Sequence, residues 1–269
     1  MSDARQRGWE KRKRPADAGC LAYVDTGGEG PACVLIHGYT DTSRSFSLIE
    51  PHLEGMRLVI PDLRGHGSSG RGHHDFRFPD FVADIAGLID RLALERPILV
   101  GHSMGAMIAL SLAASRPAGI AGLALIAGAL KADIGDDHAM AVGVRSLRDP
   151  IAADDAFYAY WHACSDAVPK PFLEMIGAEA SAMPAALWRT ILDELRAVDL
   201  GEAAPSVTAP SLIVWGSRDP LFDEAHQRAL NNRLRGSRLV RLDKCGHNPH
   251  WEAPEAVAAE IKAFVEALA

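Results

Sequence analysis

Gly101-His102-Ser103-Met104-Gly105 sets a serine hydroxyl between two glycines. The apolar run Pro97-Ile98-Leu99-Val100-Gly101 before it reads as a buried strand, and Ala106–Arg116 after it as a helix. Strand, glycine-flanked serine and helix together form the context of a nucleophile elbow. The turn is tight enough that the residues next to the serine must be nearly free of side chain, hence glycine at 101 and 105. Ser103 is then pushed out at the carboxyl end of its strand. The helix beginning at Met104 aims main-chain N–H groups at whatever the hydroxyl attacks.

A serine hydroxyl is a weak nucleophile at neutral pH. It needs a general base in hydrogen-bond reach, and the base needs a carboxylate to hold its tautomer and stabilise the imidazolium. In a doubly wound sheet these partners belong on loops past later strands. The strand around Leu212–Trp215 runs into Gly216-Ser217-Arg218-Asp219, and Arg238–Leu242 runs into Asp243-Lys244-Cys245-Gly246-His247. The order Ser103, Asp219, His247 is that of the serine–acid–histidine class. Of eleven histidines, His250 is the nearest rival to His247. His66, His73 and His74 share a loop that could approach the site. Asp223 reads as a helix cap and Asp243 as a turn former.

Acyl transfer also needs donors for a developing oxyanion. The N–H of Met104, next to the nucleophile, is one. The N–H of Tyr39, after the sharp His37-Gly38 turn, is the other. His37, Gly38 and His102 lie in these same loops and are assigned to the substrate-binding wall.

The elements that must hold these groups alternate along the chain. Strands are expected at Cys20–Val24, Ala32–His37, Arg57–Ile60, 97–101, Gly122–Ile126, Ser211–Trp215 and Arg238–Leu242. Helices are expected from Thr42 or Ser43 to Leu53, then at Asp80–Leu92, 105–116, Asp223–Leu234 and Pro254–Leu268. Continuous apolar strands alternating with helices imply an α/β fold with a doubly wound, mostly parallel sheet. Between about 129 and 204 strands vanish, and four helices near 136–147, 152–165, 170–181 and 184–196 are separated by prolines. That stretch reads as a helical cap inserted into a core of residues 19–128 and 205–269, with 1–18 as a disordered tail.

The formal net charge is −7, and the cap segment alone accounts for it, with 13 acidic and 6 basic residues. An acidic surface argues against a nucleic-acid partner, and the Lys11-Arg12-Lys13-Arg14 run reads as part of the tail. No apolar run reaches membrane-spanning length, and no apolar leader opens the chain. The four scattered cysteines suit reduced thiols in the cytoplasm. The expected partner is a small-molecule substrate, with no cofactor, no metal, no nucleic acid and no membrane, and the protein a monomer or homodimer.

Five blocks in order, His37-Gly38, Asp62-Leu-Arg-Gly-His-Gly-Ser68, the 101–105 elbow, Trp215-Gly-Ser-Arg-Asp219 and Gly246-His247, resemble the capped α/β hydrolases: esterases, C–C bond hydrolases and cofactor-free haloperoxidase-like enzymes. The resemblance covers residues 20–128 and 205–268. It implies a serine hydrolase, with Asp62 and the Arg64–Ser68 loop as structural supports. Serine at 103 argues against the epoxide hydrolases and haloalkane dehalogenases of this fold, whose nucleophile is aspartate. Tyr-Thr-Asp-Thr-Ser after Gly38 lacks the Gly-Pro-Gly-type continuation of many C–C hydrolases, so a small apolar ester or lactone is the expected substrate. C–C cleavage of a vinylogous diketone, or perhydrolase or lyase chemistry on the same triad, are the alternatives. A ligand-binding receptor would carry a degraded triad, and this one is intact. Phe157, Tyr158, Trp161 and Trp188 in the cap are expected to face the pocket. Arg145, Arg148, Arg189 and Arg196 are expected in surface ion pairs.

Overall fold

The computed structural model describes residues 21–69, 75–152 and 154–268. The expected tail, His73 and His74 lie outside them. Seven strands form one sheet: β1 (Tyr23–Asp25), β2 (Ala32–Ile36), β3 (Arg57–Pro61), β4 (Ile98–His102), β5 (Gly122–Ile126), β6 (Ser211–Gly216) and β7 (Arg238–Leu242). Their order is β1-β3-β2-β4-β5-β6-β7. Only β1 runs antiparallel to its neighbour; the other described pairs are parallel. The sheet is thus the α/β, mostly parallel one the apolar runs imply.

Successive strand residues point to opposite faces, and two apolar cores result. Val34, Ile36, Leu99, Leu125 and Ile213 pack on one side. There they meet α1 (Phe78–Arg91) and α2 (Met104–Ser115), the latter apolar almost all round and buried accordingly. Leu35, Val100, Ile126 and Val214 pack on the other side against Val257, Ile261 and Phe264 of α9 (Pro254–Glu266).

The helix expected from 42 to 53 is instead two short 3-10 turns, Ser43–Phe46 and Glu50–His52. Thr42 does cap the first, accepting from the Arg44 N–H. The Ser43 N–H, at the start of that turn, donates to the Asp62 carboxylate at 2.8 Å, since first-turn N–H groups find their partners outside the helix. Pro51 then removes a donor from any longer ladder. Asp62 also accepts from the Ser68 N–H at 2.7 Å, and Arg64 holds Asp84 through Nε and Nη2. These buried contacts fix the two loops that flank β3.

Between β5 and β6 lie α3 (Ala139–Ser146), α4 (Ala156–Trp161), α5 (Lys170–Ser181) and α6 (Ala185–Ala197). They contact the β2 and β7 loops at specific points. Arg44 pairs with Glu179 at 2.8 Å, and the Ser165 N–H donates to Glu252 at 3.1 Å. After β6 comes α7 (Glu224–Arg233), capped by Asp223 through the Ala225 and His226 N–H groups. The short α8 (Pro249–Glu252) follows β7.

Candidate active site

Ser103 stands between β4 and α2 with φ +52° and ψ −118°. A non-glycine residue there is strained by about 1–3 kcal/mol and is held only because its surroundings leave it no alternative. Its N–H donates to Ile126 of β5 at 2.9 Å. A side chain at 101 would meet the Gly105 main chain, and one at 105 would strike the Ile36 carbonyl. The two glycines are therefore required by close approach of backbone, as the sequence pattern requires.

The histidine past β7 reaches that serine. His247 Nε2 lies 2.9 Å from Ser103 Oγ, and its Nδ1 lies 2.8 Å from Asp219 Oδ2. Ionised carboxylate oxygens only accept, so Nδ1 carries the ring proton and Nε2 presents its lone pair to the serine hydroxyl. Asp219 Oδ1 accepts from the N–H groups of Leu221 and Phe222. Burial pushes the Asp219 carboxyl upward. Attraction to His247, its hydrogen bond and these two N–H donors outweigh burial and hold it below the usual carboxylate range. The acid thus stays charged where the imidazole needs a counter-charge. The donor loops of Asp219 and His247 are tied together where the Arg218 N–H donates to the Cys245 carbonyl at 2.9 Å.

His250, the rival base, is fully buried with Nε2 at 3.1 Å from Ser45 Oγ. Burial drives its pKa well below the usual histidine range, and His102 and His247 add to the effect. It braces the wall rather than meeting the serine. His66 is likewise fully buried, with Nδ1 2.8 Å from the Arg64 carbonyl.

The relay opens into a cavity of about 150 Å³. Tyr39, Tyr160, Trp161, Leu221 and Trp251 supply apolar wall, and Asp41, His102, His162 and Asn248 supply polar wall. Trp161 is fixed by its Nε1–H donating to Thr40 Oγ1 at 2.9 Å. Among the described residues, neither the Tyr39 nor the Met104 main-chain N–H is hydrogen-bonded to another residue.

Several residues assigned to the pocket wall lie elsewhere. His37 is fully buried: Nε2 accepts from the Leu63 N–H at 2.9 Å, so Nδ1 carries the proton and donates to the Gly38 carbonyl at 2.8 Å. Both nitrogens are spent on loop structure. Gly38 does not line the cavity either; a side chain there would meet His102 Nδ1 at 2.8 Å, so it makes room for that imidazole. Phe157 packs against Gly143 and stacks on Trp161 from behind at 5.9 Å. Tyr158 is turned to Ser181: the Ser181 hydroxyl donates to the Gly177 carbonyl at 2.8 Å and accepts from Tyr158 Oη at 2.9 Å. Trp188 is wholly buried behind Tyr39 and Trp161, its Nε1–H donating to the Ala180 carbonyl. Of the four expected aromatics only Trp161 reaches the cavity. The arginines between β5 and β6 are surface pairs in part: Arg145 and Arg196 share Asp136, while Arg148 and Arg189 donate to main-chain carbonyls.

Sequence reasoning missed Asp41 and Asn248 as wall residues. Their signal was proximity alone: Asp41 is three residues past Gly38, and Asn248 directly follows His247.

A serine on a strand–helix elbow, with aspartate and histidine on loops past later strands of a mostly parallel sheet, defines a serine hydrolase of the α/β class. The match to the family model described as "Alpha/beta hydrolase family" spans residues 33–260, and the chain belongs to that family. It is accordingly a hydrolase. It is similar to the pimeloyl-[acyl-carrier protein] methyl ester esterase of Xanthomonas campestris pv. campestris (strain B100), 31% identical over 260 residues that cover 91% of this chain and 99% of that one. The enzyme of the same name from Stenotrophomonas maltophilia (strain K279a) is 29% identical, with 91% and 97% covered. The enol-lactonase from Burkholderia xenovorans LB400 shares the fold with a TM-score of 0.79, 24% identity, and 91% and 96% of the two chains covered.

Proposed function

We propose that the protein is a serine esterase that hydrolyses a small, largely apolar carboxylic ester or lactone through an acyl-enzyme. The observation that carries this reading is the unbroken chain Asp219–His247–Ser103, with steps of 2.8 and 2.9 Å, at the floor of a compact, aromatic-walled cavity. The ester-hydrolysing relatives support the same bond class.

In the reading, His247 Nε2 takes the Ser103 proton as Oγ bonds to the ester carbonyl carbon. The N–H groups of Tyr39 and Met104, free of other partners, hold the oxyanion. The carbonyl–alkoxy bond then breaks, and His247 returns the proton to the departing alcohol. Water repeats the sequence: it gives its proton to His247, attacks the acyl carbon, and releases the acid and Ser103. Residues 19–128 and 205–269 serve as the catalytic core and 129–204 as a cap, because Tyr160, Trp161 and His162 come from that insertion. Cys33, Cys164 and Cys245 are free thiols, which suits the cytoplasm.

A fluorophosphonate probe followed by peptide mapping, run beside p-nitrophenyl esters of increasing acyl length, tests the proposal. Label on Ser103, with turnover best on short acyl chains, is the expected result. Label on a different serine, or no ester turned over while Ser103 is labelled, overturns it.

A further inference from the structure

Asp41 and Asn248 line the cavity although each is about nineteen-twentieths buried, at 5% and 6% exposure. Groups so deep are expected to have partners, and these two are incompletely matched. Asp41 Oδ2 accepts from the Ser45 hydroxyl at 3.1 Å and faces His102 Nδ1 at 3.6 Å. Among the described residues its Oδ1 and the Asn248 side-chain amide make no hydrogen bond, and both stay open to the cavity. His162 Nε2, on the same wall, is buried and also without a partner.

The unmatched groups are held firmly. The Ser45 hydroxyl can donate only once, and it donates to Asp41. It therefore accepts from Trp251 Nε1 at 3.0 Å and from His250 Nε2 at 3.1 Å. A chain of buried groups thus orients the carboxylate, and the turn that carries it is closed by the Asp41 N–H donating to the Gly38 carbonyl at 3.3 Å. Burial raises the Asp41 carboxyl, but the neighbouring His102 imidazole outweighs it and holds the acid below its usual range. It is the carboxylate acceptor of a wall that mixes aromatic and aliphatic side chains with histidines, Asn248 and Arg218.

Resting on the esterase reading above, we infer that this cavity takes an ester bearing a hydroxyl group a few bonds from the scissile carbonyl, with Asp41 accepting its proton and Asn248 or His162 completing its oxygen. A hydroxyl both donates and accepts, and so matches a carboxylate and an amide together. An ammonium could match Asp41 alone. A plain alkyl chain would cover these groups without pairing them, a cost that lets a hydroxyl-binding site reject the deoxy analogue strongly.

The experiment compares methyl 3-hydroxybutyrate, methyl 3-aminobutyrate and methyl butyrate. In the wild-type protein the hydroxy ester should exceed the plain ester in kcat/KM by at least about tenfold, with the amino ester below it. In Asp41→Ala the hydroxy-to-plain ratio should collapse toward one; any general loss of chemistry cancels in that ratio. In Ser103→Ala, which binds without turnover, calorimetry should show the hydroxy ester bound tighter than methyl butyrate. Equal kcat/KM for hydroxy and plain esters, a ratio unchanged in Asp41→Ala, or preference for the amino ester overturns the inference while leaving the esterase reading intact. Failure of the esterase reading looks different: no ester is turned over at all. The Ser103→Ala binding comparison then still decides the hydroxyl subsite.

Discussion

His102 Nε2 lies 3.0 Å from the main-chain carbonyl oxygen of His247. A carbonyl only accepts, so this nitrogen carries a proton. The residue before the nucleophile therefore braces the loop that carries the base, and one dipeptide sets both ends of the Ser103–His247 contact. His102 acts on the chemistry through that carbonyl, as a positioning residue. In His102→Ala, kcat should fall about 10- to 100-fold, the scale of a lost buried hydrogen bond, with KM changed little. His102→Gln, whose amide N–H can reach the same carbonyl, should recover part of the loss. A KM effect with kcat intact would remove the positioning role.

Ser103→Ala, His247→Ala and Asp219→Asn should each lower kcat by about three orders of magnitude or more, and the triple variant should be little worse than the worst single one, since the groups act as a unit. Steady-state kinetics of the singles and the triple decide this. Additive losses would mean that the three residues do not share one step.

Acid-side stability should depend on His66. Burial lowers its pKa from 6.5 to about 3 in the folded chain. Between those values the unfolded chain binds a proton that the folded chain does not. Its contribution is therefore complete above pH 6.5 and is lost as pH falls toward 3, with a slope of about 1.4 kcal/mol per pH unit. His66→Asn, able to keep the bond to the Arg64 carbonyl, should give a shallower fall in urea-unfolding free energy over that window. An unchanged slope would place the linked proton elsewhere, with His250 the next group to test.

Two tryptophans between β5 and β6 should separate cleanly. Trp161 lines the cavity and holds Thr40, so Trp161→Ala should shift the preferred acyl length toward longer chains while Ser103 is still labelled. Trp188 is wholly buried, and Trp188→Ala should cost about 3–5 kcal/mol, read as a lower Tm. If Trp161→Ala changed stability alone, residues 129–204 would be scaffold and not cap.

The sheet, the elbow and the Ser103, Asp219, His247 order were legible in the sequence because each is a local pattern. For β2 to β6, apolar runs of four or five residues make buried strands whatever lies beyond them. Two glycines around a serine specify a turn by steric need, and the acid and base follow their strand ends by a few residues. The 42–53 helix was misread because Pro51, inside the expected span, withholds an N–H from a continuous ladder, and the chain makes two short 3-10 turns instead. Which side chains face the cavity was legible only in part: Trp161 and His102 line it, and the other expected wall residues do not. His37 and Trp188 carry the right chemistry, yet long-range partners, Leu63 for one and Tyr39, Trp161 and Ala180 for the other, consume them. Asp41 and Asn248 look like ordinary loop residues until Ser45, His250 and Trp251, some 200 positions apart along the chain, close around the first. Strand and turn identity follow from short-range sterics and hydrophobicity, which the chain carries in each segment. The choice between wall and packing depends on which distant groups pair first, and only the folded arrangement of those partners decides it.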